Sequence, residues 1–80
     1  MATVWIAEGY GVYSKERVAE ILMDYMAEVA ARGLRSEFVK GVAAGRIHID
    51  SGTIQVEDTD PTVDAFLDVL KKHGIVPAIT

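Results

Sequence analysis

RIHIDSGTIQVE, residues 46–57, sets the architecture, because it reads as a β-hairpin whose register can be written down residue by residue. Ser51-Gly52 supplies a two-residue turn, with glycine free to take a positive φ that other residues avoid. Asp50 then faces Thr53, and continuing along both strands pairs Ile49 with Ile54, His48 with Gln55, Ile47 with Val56 and Arg46 with Glu57. Strand side chains alternate between faces. Ile47, Ile49, Ile54 and Val56 therefore share one side, and Arg46, His48, Asp50, Thr53, Gln55 and Glu57 share the other. A slip of one residue would expose all four apolar side chains, each worth roughly 1.5–3 kcal/mol when fully buried. The register is strongly specified for that reason. A lone hairpin is marginal in water, so the rest of the chain must provide the surface that covers it.

Upstream, Thr3 to Glu8 (TVWIAE) is rich in β-branched and aromatic residues and stops at Gly9, which predicts a strand. Val4 and Ile6 share one face of it, Trp5 and Ala7 the other, so both sides are largely apolar and the strand belongs in the middle of a sheet. Gly9 to Ser14 (GYGVYS) reads as a loop, and Ser14 as the N-cap of a helix running from Lys15 to about Arg32. In that helix Val18, Ile21, Leu22, Tyr25 and Val29 form one stripe, and Glu16, Glu20, Asp24 and Glu28 another. Gly33 ends it. Met23, Met26, Ala27 and Ala30 widen its apolar arc beyond what one sheet face needs, which points to a second contact.

Leu34 to Gly45 is open to two readings. Leu34, Phe38 and Val42 fit a helical stripe, while EFVKGV also fits an extended edge segment. The helical reading is preferred and predicts a short extra helix at 36–44, capped by Ser36 and closed by Gly45, with Gly41 weakening it by about 1 kcal/mol. After the hairpin, Asp60-Pro61 opens another helix, with the acid at the N-cap and proline at the first helical position. Val63, Phe66, Leu67 and Leu70 form its buried stripe, Asp64 and Asp68 are spaced to face Lys71 and Lys72, and Gly74 ends it. Ile75 to Ile79 is a last strand that Pro77, lacking an N–H, confines to an edge.

The order strand, helix, strand, strand, helix, strand fits an α+β fold, the ferredoxin-like βαββαβ arrangement. Its four antiparallel strands run in the order 4-1-3-2, with both long helices on one face. One domain over residues 1–80 is expected. At this size a core supplies only a few kcal/mol of net stability, and without cysteine no disulfide adds to it. The lack of cysteine fits a reducing, cytoplasmic setting. No apolar run reaches the ~20 residues of a membrane span, and no signal peptide is evident. A net charge of −4 argues against direct binding of nucleic acid, which rewards positive charge.

With the helices over the isoleucines, the other face of the sheet shows Trp5, Ala7, His48 and Gln55, with Arg46 and Glu57 beside them and Val76 and Ala78 or their neighbours from the last strand. An uncovered tryptophan among small apolar residues is a patch that a monomer usually hides, and a two-fold partner is the simplest cover. Trp5, Ala7, His48 and Gln55 are the candidate interface. A second candidate is an anion or small-ligand site in the loop, formed by Gly9, Tyr10, Gly11, Tyr13 and Ser14 with Lys15 and Arg17 in the first helical turn. It lacks the lysine-serine ending of a phosphate-binding loop and the third glycine of a dinucleotide fingerprint. Glu57, Asp58, Asp60 and Asp64 cluster at the start of a helix, where acids are stabilising without a metal.

At Gly11-Val12 and Arg32-Gly33-Leu34 the chain is similar to the amino-acid-binding regulatory domains of the ACT family, which share the expected topology. The proline before the loop glycine is absent and the first helix is longer, so no ligand residues carry over. No cofactor or metal is expected, and no catalytic residue is assigned, since so small a subunit has little concave volume from which to exclude water. The expected function is that of a small, acidic, soluble interaction or assembly module, a homodimer through the open sheet face or a binder of one protein partner. A ligand-binding regulatory domain using residues 9–14 is the first alternative. An acidic inhibitor that imitates nucleic acid, through the run from Asp50 to Asp68 without Lys or Arg, is the second.

Overall fold

In the computed structural model, which describes residues 1–80, the hairpin has the register derived above. Strands β3 (Ile47–Asp50) and β4 (Thr53–Glu57) pair Ile47 with Val56, His48 with Gln55, Ile49 with Ile54 and Asp50 with Thr53. Gly52 carries the positive φ of the turn, +80°. Strand β1 (Thr3–Glu8) lies antiparallel to β4 along its whole length, with Val4 opposite Val56 and Ile6 opposite Ile54. These four side chains and Ile47 are all buried. The alternation in the sequence thus sets which face of the sheet becomes core.

The sheet is mixed rather than purely antiparallel. Gly11–Val12, expected as loop, forms a two-residue strand β2 parallel to β1, giving the order β2-β1-β4-β3. Gly9 (φ +90°) and Gly11 (φ +79°) turn the chain back sharply enough for Gly9 N–H to reach the carbonyl of Val12, and Val12 drops into the core. The last strand, expected over Ile75–Ile79, is confined to β5 (Ala78–Ile79), antiparallel to β1 and extended by paired hydrogen bonds between Thr3 and Thr80. Since β4 occupies one edge of β1, β5 and β2 share the other.

Three helices complete this small, compact α+β structure. Helix α1 (Lys15–Ala31) starts at Ser14, whose hydroxyl accepts the N–H of Arg17, and turns Val18, Ile21, Tyr25 and Val29 into the core. Helix α2 (Arg35–Ala44) takes the helical reading of the ambiguous segment and is as long as α3 (Val63–Lys72). Ser36 does not cap it. The turn that closes α1 runs directly into Leu34, which serves as N-cap without a side-chain bond. Likewise α3 begins at Val63 with Thr62 as N-cap, so Asp60 and Pro61 lie in the preceding turn instead. Asp68 turns to Arg32 of α1 rather than to a lysine of its own helix.

All three helices lie on the isoleucine side. Fourteen buried apolar residues form one core, with Tyr25 at its centre, edge-on to Phe38 of α2 and tilted against Phe66 of α3. Gly41 of α2 sits directly over Ile47. No helix is long and apolar enough to cross a membrane.

Candidate functional site

The opposite face of the sheet carries no helix. Ala78, Trp5, Gln55 and His48 face one another across four neighbouring strands, β5, β1, β4 and β3, and form a single transverse row. Ala7 lies one step along, opposite Thr53, which in turn pairs with Asp50. The four candidate interface residues therefore come together, with Trp5 half-buried near the middle and His48 exposed at the end. Trp5 owes its position to simple alternation. Val4 and Ile6 on either side of it are core residues, so its indole must project from the other face.

Tyr10, read from sequence as part of the loop, stands edge-to-face with Trp5 at 5.2 Å between ring centroids and leaves 64% of its own surface exposed. The indole and phenol make an aromatic ledge at one end of the row. Arg46 does not belong to this face. Its Nε donates to Asp60 Oδ1 at 3.2 Å, which draws the guanidinium to the helical side of the molecule. No partner holds His48 within the subunit. Its ring is not oriented by a neighbouring acid, and the row carries no nucleophile beside it.

The residues of the second candidate are divided among separate duties. Ser14 is engaged as the cap of α1, and Arg17 is paired with Glu20 at 3.0 Å. Lys15 lays its aliphatic stem over the hairpin turn at Gly52. Gly9, Gly11 and Tyr13 border a separate shallow hollow of about 290 Å³ with Val12, and Tyr13 is fully exposed. No cationic side chain lines that hollow.

The acidic cluster resolves into something the sequence did not show. Asp60 is buried and ties three segments together. One carboxylate oxygen accepts from Arg46, and the other accepts from both the N–H and the hydroxyl of Thr62 at 2.9 and 2.5 Å. Because the Thr62 hydroxyl donates to Asp60, its lone pairs are left for the phenol of Tyr25, 2.5 Å away. The phenolic pKa is pushed from 10.0 up to about 12, mainly because burial disfavours the phenolate, with the negative Asp60 adding to the effect. Asp-Pro-Thr is a local signal for a turn of this kind, in which aspartate binds the N–H two residues on. The role of the network is structural. Every buried side-chain polar atom finds a partner, and no three His, Asp or Glu side chains converge to hold a metal ion.

His73 likewise does more than complement the end of its helix, since its Nε2 lies 2.6 Å from Asp24 of α1. Arg32 joins the same two helices through Glu28 at 2.9 Å and Asp68 at 2.5 Å, and its guanidinium pKa is raised by those two acids. These pairs tie α1 to α3 across an open hollow of about 450 Å³ that Asp24, Glu28, Asp68 and Lys72 line. No protein-family model, curated protein or solved structure matches the chain.

Proposed function

We propose that this chain is a small assembly module that pairs with a second copy of itself through the open face of its sheet, with Trp5 at the centre of the contact. The observation that carries the reading is the transverse row Ala78, Trp5, Gln55 and His48 on a face that none of the three helices covers. A large aromatic flanked by small apolar and polar side chains is the composition of an interface centre. Tryptophan and tyrosine dominate the energetics of such contacts because they bring much area at little entropic cost. A flat, two-layer subunit pairs most simply about a two-fold axis, each copy presenting the same patch. The row also lacks the convergent charges and concavity that small ligands require.

The order β5-β1-β4-β3, with α1 and α3 behind it, supports a ferredoxin-like reading of the connectivity in which β2 and α2 are additions. A cytoplasmic setting suits a chain without cysteine. Sedimentation velocity of the wild type and of Trp5→Ala across a concentration series tests the function. Truncating a central tryptophan typically costs 2 kcal/mol or more, so the dissociation constant of this contact is expected to rise about 30-fold or more. Identical association of the two proteins would remove the sheet face from the interface.

A further inference from the structure

We draw no further inference here: the strongest candidate, the open apolar groove between α1 and α2 that Met26, Ala27, Phe38 and Val39 line with Arg35 as its one charged residue, carries nothing because no feature of the structure shows what covers it.

Discussion

Tyr25 keeps a hydroxyl at the centre of the core, and a relay through Thr62 and Asp60 to Arg46 carries its polarity out to the surface. Its aromatic ring is the part legible in sequence, as a member of the buried stripe of α1. The partner of its hydroxyl lies 37 positions away and is not, because periodicity reports the direction of a side chain but not what it meets. Asp60 shows the same limit. It reads from sequence as a helix N-cap, yet the helix starts after Thr62, and Asp60 is buried instead against Arg46 and Thr62, which no local pattern encodes. The relay has a measurable consequence at high pH. The folded-state pKa of Tyr25, about 12, lies above the value of 10.0 for a solvated phenol. The neutral form is thus favoured by folding, and its contribution is complete below pH 10 and lost as pH rises through 12. At 1.36 kcal/mol per pKa unit the full loss is about 3 kcal/mol. Tyr25→Phe should lose about 1 kcal/mol at neutral pH, the net worth of one buried hydrogen bond. Urea unfolding between pH 9 and 12 is expected to show a steep decline in wild type that is shallower in the variant. Parallel declines would mean that another group governs alkaline unfolding.

The elements divide by how much local information they hold. The hairpin register from Ile47 to Val56 was legible because a glycine turn and strict alternation fix it together, whereas Arg46, read onto the polar face, turns to Asp60 instead. The ends of all three helices were legible too. Gly33, Gly45 and Gly74 each adopt positive φ and close a paired hydrogen-bond motif, for example Leu34 N–H to the Val29 carbonyl and Gly33 N–H to that of Ala30. Two-residue strands such as β2 and β5 hold too few side chains to alternate, and their pairing comes from tertiary closure. Gly41 was legible only as a weakness in α2. In the fold it is a point of closest approach, since a Cβ there would stand 2.5 Å from Asp60 Oδ1 and 2.8 Å from Ile47 Cδ1. Gly41→Ala would ordinarily strengthen a helix by ~1 kcal/mol. Here the crowding of two buried side chains outweighs that gain, overpacking costing about 1–3 kcal/mol. The variant is expected to melt several degrees lower, at about 4–8 °C per kcal/mol for a domain of this size. A melting temperature equal to or above wild type would show that α2 can lift off β3 freely.

As a whole the subunit closes its own core. Its accessible surface of 4747 Å² equals the roughly 4,700 Å² expected of a monomeric chain of this mass. The proposed association would therefore join finished subunits and not complete a fold, so variants of the open sheet face should keep their secondary structure. The uncovered face of the sheet was predictable from where side chains point. Ala78 was read onto that face as well, and it pairs with Trp5; the extension of the face by Tyr10 was not legible, because the ring reaches Trp5 only through the tight return of the chain at Gly9 and Gly11. Trp5 is the only tryptophan, and it sits at the proposed contact, so its fluorescence reads that surface alone. On raising the protein concentration, its emission should shift to shorter wavelength and quenching by iodide should fall, following the same curve as the gain in mass. An emission maximum and quenching constant that stay fixed while the mass increases would contradict pairing through the open sheet.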